Sequence, residues 1–434
     1  MNPAPPLQLA FYADDFTGAT DALESLATAG LETALFLEPP SAAQLARHPG
    51  LQAVGVAGFT RALAPDGMER ILRPAFTALR ALNPRHFHYK VCSTFDSSPA
   101  IGSIGRAIEL GREVFGEGVV PLLVAAPALG RYCVFGQLHA RYGIGSAGAI
   151  HRLDRHPAIS RHPVTPMIEA DLRVHLGRQT GLRIGLVDIL TVKRGPDAIR
   201  QSLLAQSTEG AAIVLFDALT ETQLDEIGDV IDGLAQETGP LFSVGSSGIG
   251  SALAPHLLDR VPRPATRPPS PLPDPAPVLV ISGSCSPVTA GQIEWALAHG
   301  FTGVALDAAA PGSPATTAAI VAALRAGCPV VAYSARGTAD PAPVAASELG
   351  TALGQLARSV LTQARVSRLA FAGGDTSSYA ARALGLESVS LVASLIPGAP
   401  LCRAHAPGSP ADGLLVTFKG GQVGSPDFFE RLKD

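Results

Sequence analysis

The sequence predicts an α/β protein built as two three-layer α/β domains joined by a proline-rich linker, and three observations carry that reading. Short apolar runs alternate with helical spacing along the whole chain; a dense proline segment interrupts them once; and polar or glycine-rich clusters recur where strands end. At 434 residues the chain exceeds one ordinary core, so two domains are expected. Hydrophobic residues form 47 % and charged residues 16 %, a composition that folds rather than stays disordered. We place the domains at 1–259 and 278–434, with the linker at 260–277.

In the first domain, Leu7 to Ala13 reads as a buried strand, and a helix follows through Asp21–Ala27 with Gly30 as its C-cap. Ala53–Ala57 is the next strand, Pro65 to Leu82 a helix, and His86–Lys90 a strand again, before a helix containing Ile101 to Leu110. Further strands are expected at 119–125, 183–187, 212–216 and 241–244. The stretch V-P-R-P-A-T-R-P-P-S-P-L-P-D-P-A-P after Arg260 forbids helix and sheet ladders and favours extended polyproline conformation. Beyond it the alternation restarts with strands at 278–282, 330–334, 368–371 and 414–418 and a helix at 288–299.

The formal charge of −4 gives no general attraction for nucleic acid or an acidic membrane. Five scattered cysteines without a C-x-x-C pair argue against a disulfide framework or a zinc knuckle, and fit a reducing cytoplasm. No stretch approaches the roughly 20 apolar residues that span a bilayer. A small molecule is the expected partner, and a homo-oligomer is left open. Only four of the 33 basic residues are lysine, which singles out Lys90 and Lys419, both inside the motifs below.

Asp14 and Asp15 stand where the first strand turns into a helix, the place where open parallel sheets bind ligands and helix amino termini offer free N–H groups. Asp15 or Thr17 could equally be a plain N-cap. The run Lys90-Val91-Cys92-Ser93-Thr94-Phe95-Asp96-Ser97 repeats the pattern: Lys90 can reach a carboxylate or phosphoryl oxygen, and Asp96 can accept from a hydroxyl. Arg61 after the Ala53–Ala57 strand could fork onto a carboxylate. In the second domain Ser282-Gly283-Ser284, Gly373-Gly374-Asp375-Thr376 and Lys419-Gly420-Gly421 are small-residue loops behind strands. Their N–H groups and hydroxyls suit phosphate, with Lys419 read as an added point charge. Gly143-Ile144-Gly145-Ser146-Ala147-Gly148 matches G-x-G-x-x-G, yet we see no first strand before it and no amphipathic helix after it. His151, His156 and His162 lack the spacing of a zinc pair.

Taken together these motifs resemble the four-carbon acid sugar kinase family, nearly end to end. Asp14-Asp15-Phe16-Thr17-Gly18-Ala19-Thr20-Asp21 resembles its opening signature. Lys90 to Ser97, with His162 to Met167, is most similar to the 3-oxo-tetronate kinase branch. The resemblance implies an ATP-dependent kinase whose first domain binds the sugar acid through Asp15, Arg61, Lys90 and Asp96, and whose second binds ATP through Ser284, Gly373 to Thr376 and Gly421. Mg²⁺ is assumed with the nucleotide; no metal-ligand motif is visible. Asp15 is the first choice for the group that orients or deprotonates the acceptor, and Asp96 the second. Departures from the family pattern at Gly102-Ser103-Ile104-Gly105, Pro127 to Arg131 and Gly136 to His139 lead us to expect a different pocket, with threonate, erythronate or a branched oxo-acid open as substrates. A nicotinamide dehydrogenase using the Gly143 loop and a non-catalytic sugar-acid sensor are the rival readings.

Overall fold

The structure, a computed structural model, describes residues 7–142, 148–162, 164–238, 240–261, 276–337 and 344–433, without the side chains of residues 236–238 and 375. Most of the expected linker and the Gly143–Ala147 part of the glycine motif lie outside these residues. The chain divides into two compact units: one takes the residues up to Thr33 and from Glu38 to 261, the other takes Ala34–Leu37 and the residues from 276 onward.

The strands of the first half are β1 (Leu9–Ala13), β2 (Thr33–Phe36), β3 (Ala53–Ala57), β4 (His86–Lys90), β5 (Val120–Leu123), β6 (Arg131–Val134), β7 (Gln137–Arg141), β8 (Ile150–Arg152), β9 (Ile184–Val187), β10 (Ile213–Phe216) and β11 (Leu241–Gly245). The first unit sets a parallel sheet in the order β3-β1-β4-β11-β5-β10-β9. Ala57, Ala13, Lys90 and Gly245 stand in register across neighbouring strands, so four strand ends form one row. From β1 the chain leads to β3 on one side, and from β4 it leads toward β5 on the other. The order therefore reverses between β1 and β4, which opens a crevice outside their carboxyl ends.

Alternation assigns the faces of this sheet. Tyr12, Phe87, Tyr89 and Phe242 point to one side, where Phe87 stacks on Phe115 at 4.3 Å and meets Phe76 edge-on at 5.0 Å. Burying each such ring contributes roughly 1.5–3 kcal/mol. Helices Pro65–Ala81 and Ile104–Phe115 supply the partners, and Gly111 is obligatory there because a Cβ would lie 2.1 Å from the Phe242 ring. Lys90 points to the opposite face, toward helix Phe16–Ala29, giving three layers. That helix ends at Gly30 with φ of 112°, as its sequence requires. The helix expected from Ile101 begins instead at Ile104, because Gly102 turns at φ of 61° and Ser103 caps the helix by accepting from Arg106 N–H at 3.1 Å. At the amino end of β4 the buried Asp232 collects His86 at 3.0 Å, Arg85 at 2.7 Å and Arg260 at 2.6 Å. β6, β7 and β8 form a separate antiparallel sheet. β7 thus ends just before Gly143, so a strand does precede the glycine motif, but it is an antiparallel one.

The second unit contains β12 (Val278–Ser282), β13 (Thr302–Ala305), β14 (Val330–Tyr333), β15 (Arg368–Ala372), β16 (Ser388–Ala393), β17 (Leu401–His405) and β18 (Leu415–Lys419). Its order is β13-β14-β12-β15-β18-β17-β16-β2, parallel from β13 to β18 and antiparallel beyond. The chain leaves β12 toward β13 and leaves β15 in the other direction, so this sheet too reverses, between β12 and β15. Val280, Ile293, Phe301, Val331 and Phe428 are part of its core. β2 corrects the expected domain boundaries: Ala34, Leu35 and Phe36 pair with Ser390, Val389 and Ser388, and Arg382 donates to the Leu37 carbonyl at 2.9 Å. Residues near the start of the chain therefore complete the second unit, which a continuous 278–434 domain leaves out.

Candidate active site

The first reversal point gathers charge. Asp15 has extended backbone (φ −145°, ψ 163°) and caps helix Phe16–Ala29, its Oδ1 accepting Gly18 N–H at 2.9 Å. Its Oδ2 accepts Arg61 Nη2 at 2.6 Å, so one carboxylate both caps the helix and holds the guanidinium. Arg61 sits in a short 3₁₀ turn after β3 and its N–H donates to the Asp14 carbonyl at 3.1 Å. Asp14 N–H in turn donates to the Lys90 carbonyl at 2.9 Å, which ties the three strand ends together.

Lys90 is buried at 2 % exposure, its Nζ donating to the Val91 carbonyl at 3.2 Å and lying 3.7 Å from Asp21. Gly18 is demanded by this geometry: a Cβ there would stand 2.4 Å from Asp15 Oδ1 and 3.0 Å from Lys90 Nζ. Asp14 is equally buried, and burial raises its carboxyl to about 7, with Asp15 and Asp96 adding to the rise while Arg61 and Lys90 oppose it. After β4, Cys92 Sγ lies 3.0 Å from Thr94 Oγ1, which donates to Asp96 Oδ1 at 2.9 Å. Burial pushes the Cys92 thiol up to about 12, so it stays protonated. Ser93 is half-buried on the same loop.

The cluster thus unites Asp14, Asp15, Arg61, Lys90 and Asp96, which the sequence singled out, with Asp21 and Thr94, which it did not. Asp21 was findable: it lies three residues beyond Gly18, on the same helix face. Arg131 is a further addition. Buried at 6 % exposure, it donates to the Leu129 and Arg141 carbonyls at 3.0 and 3.2 Å, and Cys92, Asp96 and Asp21 act on its charge. The expected departures from the family pattern are partly structural. Ser103 serves as a helix cap, and Gly136 N–H donates to the buried Asp217 at 2.9 Å.

The second reversal point is made of backbone and hydroxyls. Helix Gly374–Leu384 starts directly after Gly373, whose φ of 133° only glycine tolerates and which provides no side-chain cap, so the first-turn N–H groups are left for an anion. A Cβ on Gly373 would lie 2.3 Å from Thr376 Oγ1, and one on Gly283 would lie 3.1 Å from the same atom. Ser282 Oγ accepts Ser284 N–H at 3.3 Å and Ser284 Oγ accepts Ser286 N–H at 3.2 Å. A Cβ on Gly421 would stand 2.7 Å from Ser284 Oγ, which brings the third loop, with Gly420 and Gly421, against the first. Ser282, Ser284, Gly373, Gly374, Thr376, Gly420 and Gly421 thus share one end of the sheet; the Asp375 side chain lies outside the described residues.

Lys419 is placed otherwise than its sequence suggests. It has no exposure, and its Nζ donates to Thr289 Oγ1 at 3.0 Å, which in turn donates to the Gly421 carbonyl at 2.8 Å. Burial lowers its ammonium to about 7. It braces the loop from beneath instead of presenting a surface charge.

The matches to known families divide the chain between 253 and 279, with Ala34–Leu37 falling inside the first match. Residues 9–253 match the sugar-binding N-terminal domain and residues 279–429 the nucleotide-binding C-terminal domain. The chain belongs to the four-carbon acid sugar kinase family. It is 42 % identical to a 3-oxo-isoapionate kinase of Paraburkholderia graminis, across 99 % of this chain and 94 % of that protein. It is 32 % identical to a 3-oxo-tetronate kinase of Methylobacterium radiotolerans across 99 % of both. Among solved structures it resembles one from Salmonella typhimurium LT2 described as a putative tRNA synthase, with a TM-score of 0.78 and 25 % identity over 98 % of each chain. Haemophilus influenzae protein HI1011 shares the fold, with a TM-score of 0.73 and 22 % identity over 97 % of this chain and 98 % of that one. No helix among the described residues is long and apolar enough to cross a membrane.

Proposed function

We propose that this chain transfers the γ-phosphoryl group of ATP to a hydroxyl of a 3-oxo sugar acid, with 3-oxo-isoapionate the preferred substrate and 3-oxo-tetronate the second. One observation carries the reading: the two reversal points hold complementary chemistry, charged in the first unit and almost uncharged in the second. Arg61 and Lys90 offer cations to a carboxylate, while Ser93, Asp96 and Asp15 offer partners to hydroxyls. The helix at Gly373, Thr376 and the loops at Ser284 and Gly421 take the phosphates through backbone N–H groups and hydroxyls. The order of substrates follows the higher identity to the 3-oxo-isoapionate kinase.

Among the described residues no three His, Cys, Asp or Glu side chains gather to hold a metal. Mg²⁺ is assumed with the nucleotide, where it would lean on substrate phosphates and retained water and neutralise phosphate charge. A coupled ADP-release assay over 3-oxo-isoapionate, 3-oxo-tetronate, threonate and erythronate tests the reading. Turnover should be highest with the 3-oxo acids. Nucleotide binding without turnover of any acid would replace the kinase with a sensor, and thermal stabilisation by NAD instead of ATP would replace it with a dehydrogenase.

A further inference from the structure

Both sequence-based candidates for the proton acceptor are already engaged. Asp15 Oδ1 accepts Gly18 N–H and its Oδ2 accepts Arg61, at 2.9 and 2.6 Å. Both oxygens of the Asp15 carboxylate are thus occupied, one by the helix amino terminus and one by the guanidinium. Asp96 Oδ1 accepts the Thr94 hydroxyl at 2.9 Å.

Asp14 differs from both. Its backbone is fixed on two sides, by Lys90 and Arg61, and its side chain is 2 % exposed. Its Oδ1 is sealed from solvent and accepts no hydrogen bond from the described residues. Native structures keep few such atoms, and each calls for a physical reason. Resting on the kinase reading above, we propose that Asp14, not Asp15, accepts the proton of the attacking hydroxyl, and that Asp15 positions Arg61.

In the step, the hydroxyl oxygen of the acid forms a bond to the γ-phosphorus. The bond from that phosphorus to the bridging oxygen breaks, and its electron pair leaves on ADP. The hydroxyl proton passes to the Asp14 carboxylate, whose remaining 2 % exposure is its route to solvent. An incoming hydroxyl supplies the hydrogen bond that the carboxyl lacks. The surroundings suit a base that works near neutrality: Asp15 from the same turn, Arg61 from the turn after β3, Tyr89 and Lys90 from β4, and Cys92 and Asp96 from the loop behind it all act on this group, while Asp21 of the facing helix draws on Lys90. Burial, the largest influence, makes it ionise at about 7.

The test is the pH dependence of kcat/KM for 3-oxo-isoapionate at saturating ATP, measured on the full chain as wild type, Asp14→Asn and Asp15→Asn. The wild type should lose activity about tenfold per pH unit below about 7. Asp14→Asn should lose at least ~10²-fold and the acid limb with it, whereas Asp15→Asn should raise KM for the acid and keep the limb. An acid limb that survives in Asp14→Asn, or activity within threefold of wild type, overturns the assignment. Should Asp14→Asn not fold, a difference infrared titration of the wild type decides: one carboxyl must ionise near pH 7, and complete ionisation by pH 5 contradicts the proposal. A wild type that releases no ADP with any acid removes the kinase reading itself, an outcome distinct from an unaffected Asp14→Asn.

Discussion

The proposed acid site and the proposed nucleotide site occupy equivalent places in two similar sheets, yet they are built from opposite materials. At the β1/β4 reversal, Asp15, Arg61 and Asp21, half-buried, join the buried Lys90 and Asp14 in a network in which most charges have a partner. At the β12/β15 reversal, the one lysine turns inward and glycines, serines and N–H groups face the loops. A buried charge network is high-stakes, because removing one member strands the others. Backbone sites distribute the load over several weak donors, and their vulnerable points are conformational.

That contrast can be broken or sharpened by substitution. The largest effect is expected at Lys90: Lys90→Met removes the ion-pair partner of Asp21 and one of the two cations acting on Asp14, and should lower kcat/KM for the acid by ~10³-fold, since breaking a buried pair costs about 3–5 kcal/mol. Unchanged ATP-dependent thermal stabilisation must accompany the loss; a parallel loss of the ATP response would place Lys90 on the nucleotide. Arg61→Ala should raise KM for the acid by about 10–100-fold, a charge-assisted bond contributing ~1.5–3 kcal/mol, and Arg61→Lys should recover only part of it because the fork is lost. A full rescue by lysine would show that charge alone suffices.

On the other side, Gly373→Ala forces a Cβ to 2.3 Å from Thr376 Oγ1 at φ of 133°. It should raise KM for ATP by about 5–100-fold, the range set by ~1–3 kcal/mol of backbone strain, with KM for the acid unchanged. Steady-state kinetics with each substrate varied in turn separates the two.

The smallest effect belongs to Lys419. Its ammonium ionises at about 7 when folded and near 10.4 when unfolded, so the unfolded chain binds more protons between those values and stability rises with pH across that window. Lys419→Met should flatten this rise and increase Tm near pH 7 by a few degrees, as ~1 kcal/mol corresponds to roughly 2–4 °C at this size. Melting curves at pH 6, 7.5 and 9 read it directly; a steeper rise in the variant would contradict the burial argument.

Much of this was legible in the sequence, and the gaps have physical causes. Strands such as His86–Lys90 and Val278–Ser282 were readable because buried parallel strands are short apolar or β-rich runs bounded by turn residues. Thr33–Phe36 was not: four residues carry too little pattern, and their partner β16 lies some 350 positions away. A fragment beginning at 276 would consequently leave the β16 edge unpaired, a poor test of what the second unit binds alone. Asp14 and Asp15 were visible as a pair, but only the capping geometry distinguishes them. Lys419 looked like a phosphate ligand because a lysine beside two glycines carries no sign of which way its side chain turns.

Acid and nucleotide recognition, as proposed, reside in different units with different chemistry. Isothermal titration of the full chain with 3-oxo-isoapionate and, separately, with a non-hydrolysable ATP analogue tests it most directly when run on both Arg61→Ala and Gly373→Ala. A crossed result is expected, with Arg61→Ala losing affinity for the acid alone and Gly373→Ala for the nucleotide alone. Loss of nucleotide affinity in Arg61→Ala, or of acid affinity in Gly373→Ala, would contradict it.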